Sequence, residues 1–325
     1  MHTILAKAAC AAVLAAGLAA AHAQSRWNLP TAYADNNFHT QNIKTLVDEV
    51  RQATGGKLDI AVHSGASLYK MPEIKRAVQT GQVQMGEVLV SALANEDPMY
   101  ELWSVPFVAQ SYDHVRTLFQ GSRPFIEKRL QRDGLRLLYA APWPYVGVFL
   151  KQRPEGASPL KGHKIRTYDK GTSLFVEMIG STPTTVQAAE IAQAFATGII
   201  NGMVTSTTTA HDTKAWEYVS AYIDARASYP MNMVIVNERS FRALDEASQK
   251  ALVDAGARAQ ERGWQRVQAL VKEMDAKVAE KGIAIVQPTP AMQAEFRDIG
   301  KKLAAEWAQR AGPDATELLK QVAHQ

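Results

Sequence analysis

Between Asp245 and Gly282 the chain runs without a proline, and Leu252, Ala255, Ala259, Val267, Leu270, Val271, Met274 and Val278 recur at helical spacing. Asp245 is placed to cap the start, because its carboxylate can accept from an otherwise unpaired amide of the first turn. At 1.5 Å per residue the pattern predicts a helix of roughly 50 Å. A single ordinary domain does not need one so long, so the helix is expected to run along two lobes as a shared spine. Gly263 marks where two shorter helices would part, but no proline enforces that break.

The rest of the chain alternates short apolar strands with helical segments, the signature of an α/β protein with mostly parallel sheets. Arg26 to Pro30, Lys57 to His63, Met85 to Val90, Leu135 to Tyr139, Tyr145 to Leu150 and Lys164 to Thr167 read as strands. Ile43, Leu46, Val47 and Val50 place a helix over His39 to Ala53, which Thr54-Gly55-Gly56 stops, and another helix is expected from Glu73 to Gly81. No internal repeat follows the amino terminus.

Met1 to Ala23 has Lys7 at its start, an Ala/Leu/Val-rich run from Ala8 to Ala20, and Ala21-His22-Ala23 at its end. That pattern predicts an export signal cleaved before Gln24. The apolar run is shorter than the ~20 residues a membrane span needs. Cys10, the only cysteine, lies inside the signal with no apolar region before it, so no covalent membrane anchor is expected. The mature chain then has neither thiol nor disulfide, which suits an oxidising compartment. About 300 residues remain, enough for two domains.

The formal charge of +4 is spread along the sequence, with no Lys/Arg block interleaved with aromatics, so nucleic acid is not an expected partner. A mild positive excess suits an anionic ligand and equally suits simple solubility. Enzyme signatures are missing. Ser64-Gly65-Ala66-Ser67 is not a G-x-S-x-G elbow, and there is no H-E-x-x-H, C-x-x-C, Walker loop or G-x-G-x-x-G. His63, His114, His163 and His211 lack paired ligand spacing, so neither a catalytic metal nor a cofactor is expected.

Arg166 stands where a strand ends in Lys161-Gly162-His163-Lys164-Ile165-Arg166-Thr167. Its planar fork of donors suits a carboxylate gripped by two parallel hydrogen bonds. With Gly180-Ser181-Thr182-Pro183-Thr184 and the segment Ala192 to Gly202, this run resembles the core of DctP-type TRAP transporter substrate-binding proteins (LKGLKIRV, LGATPTPM, then a helix ending in DG or NG). Thr54-Gly55-Gly56-Lys57-Leu58 is similar to the family's TGGRV, Gly81 to Gly86 to GTVDMG, and Val105-Pro106-Phe107-Val108 to LPFLF. The likeness runs through the mature chain in order.

The resemblance implies a two-lobed periplasmic binding protein fold with a cleft between the lobes. Lobe I is expected over 24–143 and 232–271, and lobe II over 144–231 and 272–325. It implies a monomeric periplasmic receptor that binds a small organic carboxylate and passes it to TRAP-type membrane permease subunits. An ABC-type binding protein for an anionic solute is the alternative, and a periplasmic enzyme acting on a carboxylic acid a distant third. Arg166 matches the arginine that binds the ligand carboxylate.

Two departures bear on the ligand. Thr205 stands where the family often has an asparagine (DGQENP), opening a run of five hydroxyl residues that either lines the ligand or is solvated loop. The family's second arginine falls near Gly147, with Trp143, Tyr145 and Phe149 nearby. An aromatic or hydrophobic monocarboxylate is therefore expected, with Trp143 in the pocket and Phe149 in the core. Tyr229 and Asn232 precede the strand that returns to the first lobe, and either closes over the ligand or packs at the hinge. Asn37 follows the first strand and Ser67 the second, in a loop similar to the family's NGQLG, so both are candidate lips of the cleft.

Overall fold

A computed structural model describes residues 24–155 and 159–323; the expected export signal lies outside them. The chain begins with β1 (Ser25–Pro30), α1 (Phe38–Ala53), β2 (Leu58–His63), α2 (Met71–Gln79) and β3 (Met85–Leu89). Asn37 caps α1 by accepting from the His39 amide at 3.0 Å. Ile43, Leu46, Val47 and Val50 form its buried face. Gly55 and Gly56, at φ of 58° and 81°, end it, a left-handed backbone that costs glycine nothing. Then come α3 (Tyr112–Arg132), β4 (Leu135–Pro142), β5 (Gly147–Leu150), β6 (Lys164–Thr167), α4 (Lys170–Met178), β7 (Thr182–Thr185), α5 (Ile191–Ala196) and β8 (Gly202–Thr205). The chain closes with α6 (Thr207–Asp212), β9 (Ala221–Ile223), β10 (Met231–Asn237), α7 (Glu238–Arg242), α8 (Glu246–Glu280), β11 (Ala284–Val286), α9 (Pro290–Ala311) and α10 (Pro313–Ala323).

Two lobes result. The first carries the parallel pair β1-β2 and the sheet β3-β10-β4, and the second a six-stranded sheet in the order β11-β9-β5-β8-β6-β7. The sheets are mixed rather than mostly parallel. β10 pairs antiparallel with β3 and β4, and β5 antiparallel with β8 and β9. These are the strands the chain enters on crossing between lobes, where no helical crossover turns it back into parallel alignment.

The long helix is continuous. α8 runs 35 residues from the Asp245 cap, whose carboxylate accepts from the Ser248 amide at 2.8 Å. All eight of its expected apolar positions are buried. Leu252, Ala255 and Ala259 join one first-lobe core, Val271 joins the other, and Val278 joins a second-lobe core. The helix is therefore the spine of both lobes. Gly263 and Gly256 do not break it. A Cβ at Gly263 would stand 2.6 Å from Ala141 Cβ, and one at Gly256 would stand 2.8 Å from Leu138 Cγ. These glycines let α8 lie directly on β4.

The carboxyl-terminal segment differs from the expected division. Trp307, Ala315, Leu318 and Val322 pack into the first-lobe core beside Val115, Leu118 and Ile126 of α3, so the chain ends on the first lobe. α9 carries it there, because Phe296 and Ile299 lie in the second-lobe core while Trp307 donates its indole N–H to the Pro98 carbonyl at 2.7 Å.

Candidate functional site

A cleft of about 470 Å³ lies between the lobes. Its second-lobe wall is set by the parallel order of β6, β7 and β8. Arg166 lies beside Thr184 and Met203, so Arg166 and Thr205 come together at the carboxyl ends of their strands. The Arg166 side chain is 4% exposed. It donates from Nε to the Val186 carbonyl at 2.8 Å and from Nη1 to the Val204 carbonyl at 3.3 Å. The guanidinium carbon stands 4.9 Å from the centre of the Tyr168 ring. Burial lowers its pKa to about 10, so it remains a cation at neutral pH.

Arg166 makes no ion pair with a carboxylate among the described residues. The other cleft cations do, Lys70 with Glu190 at 3.3 Å and Lys170 with Glu101 at 3.3 Å. Two backbone bonds leave part of the guanidinium fork for an anion in the cleft. Asp169, whose carboxyl burial raises, also lines the cleft. It caps α4 through the Thr172 amide at 2.9 Å and accepts from Ser91 of the first lobe at 2.7 Å.

The hydroxyl run divides. Thr205, Ser206 and Thr209 line the cleft, with Ser206 capping α6 through the Thr209 amide, whereas Thr207 and Thr208 are buried outside it. Gly147 does not line the cleft. A Cβ there would stand 2.3 Å from the Ile223 carbonyl oxygen, so this approach of β5 to β9 has no room for an arginine.

The first-lobe wall carries two aromatic rings, Tyr33 and Trp143, facing Tyr168 of the second lobe across the same cleft. Trp143 lines the cleft with its ring centre 4.8 Å from Tyr33, 5.1 Å from Phe38 and 4.6 Å from His39. Its indole N–H donates to Asn232 Oδ1 at 2.9 Å. Asn232 therefore stands behind the wall and does not itself line the cleft. Tyr33, which sequence reasoning missed, lines the cleft and donates to the same oxygen at 3.4 Å. Tyr145 and Tyr229 pack against each other, ring centres 5.8 Å apart, in the first-lobe core where the chain crosses. Asn37 ties the lobes by donating to Asp212 Oδ2 at 2.7 Å. Ser67 is exposed, and its neighbour Ala66 reaches the cleft instead. Phe149 is fully buried, stacked on Tyr222 with ring centres 4.4 Å apart.

Residues 30–310 match the family described as bacterial extracellular solute-binding protein, family 7. The chain belongs to that family. Three solved structures are similar. DctP6 of Bordetella pertussis, an extracytoplasmic solute receptor binding pyroglutamic acid, is 43% identical with a TM-score of 0.89, covering 93% of this chain and 100% of its own. DctP7 of the same organism, also a receptor binding pyroglutamic acid, is 41% identical with a TM-score of 0.89, covering 92% and 99%. A TRAP solute-binding protein from a marine metagenome, specific for pyroglutamate, is 33% identical with a TM-score of 0.89, covering 93% and 99%.

This receptor is thus of the TRAP type, a binding protein for small organic acids and not an enzyme. Among the described residues no helix is long and apolar enough to cross a membrane, and no group of three His, Cys, Asp or Glu side chains is placed to hold a metal ion.

Proposed function

We propose that the receptor captures a compact, ring-bearing monocarboxylate, with Arg166 on the carboxylate and Trp143 and Tyr33 against the ring. The observation that carries this reading is Arg166 itself, the buried cleft cation that forms no ion pair among the described residues. A buried cation of this kind is stable opposite a desolvated anion that satisfies its fork. A second ligand carboxylate would have to lie near Asp169 or displace an existing ion pair of Lys70 or Lys170, which disfavours dicarboxylates. Thr205 supplies a hydroxyl beside the carboxylate. Pyroglutamate, a cyclic monocarboxylate whose saturated lactam ring is polar rather than aromatic or hydrophobic, is the first candidate, ahead of aryl and branched acids, since three receptors 33–43% identical bind it.

The protein acts after export, cleaved before Gln24, as a monomer serving TRAP permease subunits. The lobes divide at the crossings after Trp143 and before Asn232 and within α8, with the carboxyl-terminal helix assigned to the first lobe.

Thermal shift of the mature protein against single acids tests the ligand class, because a ligand at 100 times its dissociation constant adds ~2.7 kcal/mol of stability. L-Pyroglutamate should give the largest shift, aryl and branched monocarboxylates smaller ones, and succinate and malate the least. A lead for either dicarboxylate would mean that another cleft group supplies a second positive charge.

A further inference from the structure

We propose that Glu87, which does not line the cleft, is a positioning residue for its aromatic wall and acts through the side-chain amide of Asn232. The wall's role in ligand capture rests on the function proposed above; the hydrogen-bond geometry does not. Glu87 is 1% exposed in the middle of β3. It pairs in register with Val234, so Asn232, two residues along β10, lies diagonally beside it on the same sheet face.

Glu87 Oε1 accepts from Asn232 Nδ2 at 2.8 Å, and Oε2 bonds the Thr31 hydroxyl. A carboxylate only accepts, so it fixes which end of the Asn232 amide faces it. The amide carbonyl must then face the other way, where it meets the Trp143 indole N–H and the Tyr33 hydroxyl. A flipped amide would set oxygen against carboxylate and N–H against two donors, leaving buried groups unmatched. The lock does not depend on the charge of Glu87, because a protonated Oε2 can donate a hydrogen bond to the Thr31 hydroxyl while Oε1 still accepts from Asn232. One acid outside the cleft thus sets the angle of both rings of the first-lobe wall, Trp143 and Tyr33.

Length and acceptor position, rather than charge, are what this role requires. Glu87→Gln keeps an acceptor at the same reach. Glu87→Asp keeps the charge but draws the acceptor back by one carbon–carbon bond, and Glu87→Met removes it. Calorimetric titration with L-pyroglutamate should find the Gln variant within about threefold of native, and the Asp and Met variants weakened about tenfold. The indole N–H resonance of Trp143, assigned by its loss in Trp143→Phe, should move upfield in the Asp and Met variants without ligand and stay in place in the Gln variant.

If Glu87→Met does not fold, the Gln and Asp pair decides. Native affinity and an unmoved resonance in Glu87→Asp overturn the proposal, as does a larger loss in the Gln variant than in the Asp variant. If native protein does not bind pyroglutamate, the function reading fails on its own. The unliganded indole resonance then still settles the role of Glu87, and a resonance unmoved in Asp and Met overturns it.

Discussion

The two walls of the cleft solve different problems. The second-lobe wall holds a buried charge, and it does so locally: Arg166 is anchored on the carbonyls of Val186, just after β7, and Val204, next to last in β8. The first-lobe wall holds shape, and it does so at long range, with Trp143 fixed by Asn232 and Asn232 by Glu87, 89 and 145 residues away in sequence. A charge needs one well-placed fork. A surface needs a layer behind it.

The comparison breaks first at Arg166. Truncating one side of a desolvated, hydrogen-bonded charge pair typically costs ~2–5 kcal/mol. Arg166→Ala should therefore weaken binding about 30-fold or more, and for every carboxylate alike. Arg166→Lys should also be impaired, because an ammonium keeps the charge and loses the fork as well as the two backbone anchors. Titration of folded variants checks this, and near-native affinity in Arg166→Ala would move carboxylate recognition elsewhere.

Trp143→Phe should matter less and more selectively. It keeps a ring but frees Asn232 Oδ1 from one donor, and aromatic contacts contribute ~0.5–1.5 kcal/mol beyond area burial. A loss of about three- to tenfold is expected for ring-bearing acids, with little change for acyclic monocarboxylates of similar size. An equal loss for both classes would show that the indole shapes the cleft as a whole rather than recognising a ring.

The same contrast explains what was legible in the sequence. The cleft positions of Arg166 and Thr205 are legible because strand, turn and side chain lie within a few residues of one another, Arg166 inside a family motif and Thr205 at a departure from one. The eight apolar positions of α8 were readable because a helix repeats its environment every few residues. Asn232 looked like a ligand contact because its segment crosses between the lobes. Its role behind the wall follows from the pairing of β10 with β3 and β4, which no local pattern specifies. Glu87 did leave a signal, an acid in Met85-Gly86-Glu87-Val88-Leu89, a strand otherwise suited to full burial. Such an acid needs buried partners. Tyr33 left none, since the loop after β1 gains meaning only once Trp143 stands beside it.

The layer behind the wall has its own pH signature. Burial raises the Glu87 carboxyl from 4.5 to about 7, and burial lowers the neighbouring His39 from 6.5 to about 3. The raised carboxyl binds its proton more tightly when folded, so its contribution to stability is present below pH 4.5 and lost as pH rises toward 7. His39 runs the other way, contributing fully above pH 6.5 and losing that contribution as pH falls toward 3. Between pH 4.5 and 6.5 the two oppose each other. Glu87→Gln removes one of them, so its melting temperature should climb with pH across this window more steeply than that of the native protein. Parallel curves would mean that the carboxyl titrates alike in folded and unfolded chains.

The smallest expected effect lies where the two walls meet at the mouth. Lys70 of the first lobe reaches Glu190 of the second at 3.3 Å, with side chains 66% and 51% exposed. Exposed ion pairs contribute ~0–1 kcal/mol, because water screens the attraction and two long side chains lose freedom in forming it. Lys70→Ala should therefore weaken binding less than about twofold, and the difference should vanish in about 1 M salt, where screening acts within ~3 Å. Titration at low and high salt measures both. A loss above about fivefold that survives high salt would place the ammonium on the ligand itself. The first lobe would then recognise charge as well as shape, and the division of labour between the walls would fail at Lys70.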